Sequence, residues 1–277
     1  MSLEQQFLNE LLDAIKNDRL NLPTLPEVAL RIREAVDDPD VSAGKLASVV
    51  GQDAALAARI IKVANSPLLR GRVQVDNLQL AITRLGITFV RNLVTGLAMQ
   101  QMFQATSDAV DAKLRQVWEH STEVASICHV LASHYTKLKP DQAMLAGLVH
   151  EIGVLPILTL AEESPEMMAH PDILDRVIDK LHPQVGTAIL KAWSFPPELV
   201  SVPEGCVDFG RRSEKVDYVD VVTVAKLQSY AGSDNALGTI DWNHVPAFAR
   251  LGLATDVHVH DMEDIGGEIA EAKQLFS

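Results

Sequence analysis

Apolar residues recur at helical spacing along almost the whole chain. Leu3, Phe7, Leu8, Leu11, Leu12 and Ile15 form a first stripe, broken at Asn17-Asp18-Arg19. Leu22-Pro23-Thr24-Leu25-Pro26 is expected to be extended, because each proline turns its predecessor away from helical backbone. Pro26 then suits the first turn of a helix carrying Val28, Ile32, Ala35 and Val36 on one face, ended by Asp37-Asp38-Pro39-Asp40. Ser42 and Asp53 are placed to cap the next two helices, the second burying Leu56, Ile60, Val63 and Ala64. Asn77 opens a helix that Gly86 ends, and another runs from Ile87 to about Phe103. Ala105-Thr106-Ser107-Asp108 is the candidate boundary between two helical parts, 1–106 and 107–277, which together make one module. Beyond it, Leu114, Val117, Trp118, Ala125, Cys128 and Leu131 mark a long helix. The apolar run Ala143–Val149 follows, ending on His150-Glu151 with a glycine at 153. Helices are predicted near 172–180, 182–193, 216–231, 241–251 and 262–275, with a short one at Pro196-Pro197 and a mobile polar loop over 203–215. The alternation Val257-His258-Val259-His260 is too short to build a sheet, so the class is all-α.

Composition narrows the function classes. With 277 residues, 47% of them hydrophobic, the chain can bury a sizeable core. A net charge of −13 argues against binding a phosphate backbone, so no nucleic acid is expected. Cys128 and Cys206 have no CxxC neighbour, which leaves out a zinc knuckle or redox pair. No basic region followed by an apolar run opens the chain, and no run of about 18 apolar residues is apparent, so no leader and no membrane span are expected and the setting is cytoplasmic.

The chemistry gathers around His150-Glu151. Imidazole and carboxylate from one helix end, joined by histidines of neighbouring helices, suit Fe, Mn, Zn or Mg. Such a metal polarises a phosphoryl oxygen and supplies hydroxide near neutral pH. His120 and His182 are the further ligand candidates. Each residue also has a plainer role. His120 can bond a backbone carbonyl, His182 can open a helix before Pro183, and Glu151 can serve an ion pair. Trp118 and Trp193 read as core anchors, and His258 and His260, near Asp256, as surface residues. His129, His134, His170 and His244 show no ligand spacing.

Taken in order, several motifs resemble the HDOD domain family, a degenerate relative of the HD-domain metal-dependent phosphohydrolases. They are Leu22-Pro23-Thr24-Leu25-Pro26, Asp53-Ala54-Ala55-Leu56 running to Val63-Ala64-Asn65-Ser66, Ala81-Ile82 with Leu85-Gly86, and Trp118-Glu119-His120-Ser121. Ala146–Gly153, His182-Pro183-Gln184-Val185-Gly186 and Trp193-Ser194-Phe195-Pro196 complete the set. The resemblance implies a multi-helical HD-like bundle with an N-terminal helical subdomain. It also makes His120, His150 and His182 the matches to three metal-binding histidines. Glu151 stands where the paired Asp is expected, Pro203–Asp208 where a His pair would follow, and Lys226 where a final ligand Asp is expected in the helix near 225. A lysine there puts a cation where a dication would sit, and Lys226 is placed to pair with Glu151 in the remnant cavity.

Two functions follow from the resemblance. The first is a non-catalytic regulatory protein of bacterial signal transduction, standing alone as a module. It would act through a signalling partner or small ligand, without a cofactor, with the remnant cavity and loop 203–215 as contact regions. The alternative is a phosphohydrolase acting on a nucleotide or phosphate ester, with one divalent metal at His120, His150, Glu151 and His182.

Overall fold

The computed structural model describes residues 3–17, 22–69, 71–103, 108–233, 235–259 and 262–276. The proposed boundary at 105–108 falls largely on residues outside that set, as do Asp18, Arg19 and His260. The chain is all-α, with no strand among the described residues. Six helices come first: α1 (Leu3–Lys16), α2 (Glu27–Asp37), α3 (Ala43–Val50), α4 (Ala54–Ala64), α5 (Leu78–Leu85) and α6 (Ile87–Gln100). The rest comprises α7 (Asp108–Tyr135), α8 (Pro140–Val149), α9 (Val154–Glu162), α10 (Pro165–Met168) and α11 (Pro171–Ala192). It ends with α12 (Pro197–Val200), α13 (Val202–Gly205), α14 (Tyr218–Ser229), α15 (Pro246–Leu251) and α16 (Glu263–Lys273).

The caps sit where the sequence places them. Ser42 Oγ accepts from the Lys45 amide at 3.2 Å, Asp53 Oδ1 from Leu56 at 2.9 Å and Asn77 Oδ1 from Leu80 at 2.9 Å. Two cores result. One is built on α2–α6, with Ile60, Ile82, Leu93 and Val94 fully buried. The other centres on α7, α8, α9, α11 and α14 and also takes in Phe7 and Leu11 of α1. Leu275 and Phe276 pack into the first core, with the Phe276 ring edge-on to Trp118 at 6.4 Å.

Two glycines position the site by allowing backbones to touch. A Cβ at Gly147 would lie 2.5 Å from Ala125 Cα, so α8 crosses α7 at near-backbone contact. A Cβ at Gly153 would lie 2.1 Å from the His182 carbonyl oxygen, so the turn after α8 is pressed onto α11. Through these contacts, side chains from α7, the α8 end and α11 converge.

Four expectations need correction. First, α11 runs unbroken through Pro183, so His182 lies inside a helix and opens none. Proline lacks the amide that would meet the Asp179 carbonyl, which is why its sequence reads as a break. Second, residues 203–215 are not a loose loop. Val202–Gly205 is helical, and Cys206 is fully buried. Arg211 joins Arg250 in binding the buried carboxylate of Asp220, at 3.1 and 2.6 Å. Third, His258 is half-buried with its ring 5.2 Å from Trp242. The flanking backbone is held by Gln228, whose amide donates to the Val257 carbonyl and accepts from the Val259 N–H, both at 3.1 Å. A side chain thus does what a neighbouring strand would. Fourth, the stretch Pro140–Glu162 is long and apolar enough to cross a membrane, which the sequence expectation missed. It is mostly buried inside this fold, and its two helices serve as core.

Candidate functional site

His120 sits on α7, and His150 caps the C-terminal end of α8 with Glu151 beside it. Their ligand-capable atoms all lie within 4.8 Å of one another. His120 Nδ1 is 3.0 Å from Glu151 Oε2, and its Nε2 is 3.1 Å from Ser229 Oγ at the end of α14. The Ser229 hydroxyl is also 2.8 Å from the Lys226 carbonyl. It can therefore donate to that carbonyl while accepting from a charged His120, or donate to Nε2 of a neutral one. Tyr230 packs its ring over His120 at 4.7 Å.

Glu151 has a second claimant. Lys226 Nζ, on α14, lies 3.2 Å from Glu151 Oε1, and the lysine side chain is only 5% exposed. Burial works against the carboxylate's charge, but Lys226 first, with the His120 hydrogen bond, outweighs it and holds the Glu151 carboxyl well below the usual carboxylate range. Burial likewise opposes the Lys226 charge, and Glu151 reverses that, leaving the ammonium above its ordinary range. The pair is ionised and mutually dependent.

His150 is fully buried. Its Nδ1–H donates to the Gly147 carbonyl at 2.7 Å, which leaves Nε2 as a bare lone pair. That nitrogen has no hydrogen-bond partner among the described residues and lies 3.5 Å from Glu151 Oε1. Burial lowers its pKa and keeps the ring neutral. His182 lines the same cavity but stands outside the ligand cluster formed by the other three. Burial, then Lys226, pushes it down to about 3, and its Nδ1 has no partner among the described residues. Tyr230 is pushed up to about 12, first by burial and then by Glu151.

His120, Glu151, His182 and Tyr230 line a cavity of about 260 Å³, with Lys113, Asp175 and Asp179 at its walls. Chemically it offers three metal donors, and an ammonium that competes for one of them. A divalent ion held by His120, His150 and Glu151 would share Glu151 with a like-charged group. Among the residues that sequence reasoning missed, Ser229 and Tyr230 follow Lys226 by three and four positions, so all three share a helix face. That spacing is the signal by which they were findable.

Comparison with known proteins follows the same lines. Residues 22–204 match the HDOD domain family, a span that includes His120, His150, Glu151 and His182 but stops short of Lys226, Ser229 and Tyr230. The chain is similar over its full length to a "Putative metal-dependent phosphohydrolase" from Shewanella amazonensis SB2B. The two are 36% identical with a TM-score of 0.89, and all of that chain is covered. A "Putative signal transduction protein" from Marinobacter aquaeolei VT8 shares the fold at 24% identity and a TM-score of 0.64, over 99% of this chain and 66% of that one. An uncharacterized protein of Treponema pallidum (strain Nichols) is 25% identical over 215 residues, 72% of this chain. The chain spans about 40% of the length of that curated relative.

Proposed function

The chain belongs to the HDOD domain family, and we propose that within it this protein is a non-catalytic regulator of signal transduction that acts by binding a partner protein or small ligand in the cytoplasm. The observation that carries this reading is the buried Lys226–Glu151 ion pair, 3.2 Å long, set among the residues that would otherwise ligate a metal. As they stand, these residues do not fit a dinuclear centre. Glu151 is committed to a cation on one oxygen and to His120 on the other, and His182 lies outside the cluster. The free thiols of Cys128 and Cys206, both buried, agree with a reducing compartment. The acidic balance of the chain speaks against nucleic acid as the partner.

One observation favours the alternative of a metal-dependent phosphohydrolase. His150 Nε2 is a buried lone pair without a partner among the described residues, oriented beside Glu151 as a ligand nitrogen would be. Elemental mass spectrometry of protein purified without chelator or affinity metal separates the two. The regulatory reading expects near-zero Fe, Mn, Zn and Ni per chain, and expects Lys226→Asp to acquire a metal by supplying a second carboxylate. A stoichiometric metal in the unaltered protein that disappears in His150→Ala would sink the regulatory reading and make the alternative the better one.

A further inference from the structure

Two of the motifs that carry the family resemblance have no part in the histidine site, yet they meet in space. Trp193 Nε1–H donates to the Pro23 carbonyl at 2.8 Å, tying Trp193-Ser194-Phe195-Pro196 to Leu22–Pro26. Arg33 of α2 donates to the Trp193 carbonyl from the same place. Beside this junction lies a cavity of about 260 Å³ between α2, α6, α8 and the turn after α11. Its apolar wall is Leu25, Leu145, Phe195 and Leu199.

The polar wall is arranged around two half-buried arginines. Arg91 is held through a relay. Asn92 Nδ2 donates to Asp141 at 2.7 Å, and Asn92 Oδ1 accepts from Arg91 Nε at 3.3 Å. This fixes the guanidinium by its Nε and leaves both terminal nitrogens without a partner among the described residues. Arg33 spends one terminal nitrogen on the Trp193 carbonyl. Neither arginine has a carboxylate partner among the described residues, although Asp37 stands on the same rim. In a chain of net charge −13, two guanidiniums unclaimed by carboxylates in one cleft have the chemistry to receive an anion. Ser194 adds a second signal. It is a non-glycine residue with φ of 54°, closing α11 where glycine is the inexpensive choice. Ser194 is itself one of the residues lining the cavity.

We propose that this junction cavity is a ligand site for a nucleoside monophosphate, with Arg33 and Arg91 on the phosphate and Phe195 against the base. Asp37 and Ser194 meet the sugar hydroxyls. Gln142 is oriented by donation to Glu198 at 3.1 Å and keeps its amide oxygen for a base amino group. The volume falls just below the usual range for small-molecule pockets, so the site holds at most a single mononucleotide. Because α2 and α6 form one wall and α8 the other, occupancy ties the N-terminal helices to the HD-like part. The proposal stands whether or not the histidine cavity binds metal.

The test is isothermal titration calorimetry on the full chain with AMP and GMP, and with inorganic phosphate and adenosine as their halves. A monophosphate binds more tightly than either half, and Arg91→Gln weakens it by at least about tenfold, the worth of a charge-assisted bond. Ser194→Gly, which keeps or improves stability by relieving the positive φ, also weakens it. His120→Gln, in the other cavity, leaves it unchanged. The proposal is overturned by no heat from either monophosphate at millimolar concentration, by a monophosphate bound no more tightly than inorganic phosphate, or by an affinity untouched by both Arg91→Gln and Ser194→Gly. Loss of binding in His120→Gln alone would also overturn it by moving the ligand to the other cavity.

Discussion

Lys226 and Glu151 show how one substitution pattern changes the meaning of a site. Removing one member of a buried ion pair strands the other, at about 3–5 kcal/mol, whereas replacing both is often nearly neutral. Lys226→Met is therefore expected to lose stability on that scale in urea denaturation, and Lys226→Met with Glu151→Gln to recover most of it. A double variant no more stable than Lys226→Met would mean that the pair is not coupled. His120, His150, Glu151 and Lys226 were readable in the sequence because family motifs and residue types mark them. The role of His182 was less legible: the Pro183 beside it reads as a helix start, and its distance from the ligand cluster depends on how α11 packs. Ser229 and Tyr230 share a helix face with Lys226, but a face has no meaning until its neighbour is known. Arg33 and Arg91 lie 58 positions apart, and no periodicity links them.

At the scale of elements, the site depends on how closely helices approach. Gly153→Ala would drive a Cβ into the His182 carbonyl, 2.1 Å away, so the turn carrying Glu151 must lift off α11. Overpacking against backbone costs about 3 kcal/mol, and the variant should show that loss in its urea midpoint with an unchanged m-value. A full-stability Gly153→Ala would show that the turn has room to move. Helix existence and capping were legible over α1–α8, since the 3.6-residue period and Ser42, Asp53 and Asn77 are local signals, but not where α11 runs through Pro183 or where α13 opens the segment read as a loop. What was not legible was tertiary. The burial of Cys206 and the two arginines gripping Asp220 turned an apparently polar, mobile loop into a fixed segment. Gln228 imitating a strand edge is likewise visible only once α14 meets residues 257–259.

For the whole molecule, buried histidines set the response to acid. His182 has an unfolded value near 6.5 and a folded value of about 3, so between those limits the unfolded chain binds a proton that the native chain refuses. Stability therefore falls as pH drops through that window, by about 1.4 kcal/mol per unit for each such proton. His150, lowered by burial, acts in the same direction. Glu151 contributes stability that is present above its unfolded value of 4.5 and is lost only as pH falls further, towards its depressed folded value. The groups facing His182 are Lys226, Glu151, His150 and His120. Melting temperature should decline from pH 7 to pH 5, and His182→Gln should flatten that decline by nearly one proton's worth; an unchanged slope would place the uptake elsewhere. The packing of Leu275 and Phe276 into the core of α2–α6 has a different consequence, in the order of assembly. During synthesis the early helices emerge with an apolar slot at Gly96 that is filled only later, by Leu148 of α8 and then by Phe276. The slot waits while the intervening helices are made, and its closure spans most of the polypeptide. Until that contact forms, the α2–α6 core keeps an apolar face uncovered, so its completion is a long-range and therefore slow step of folding.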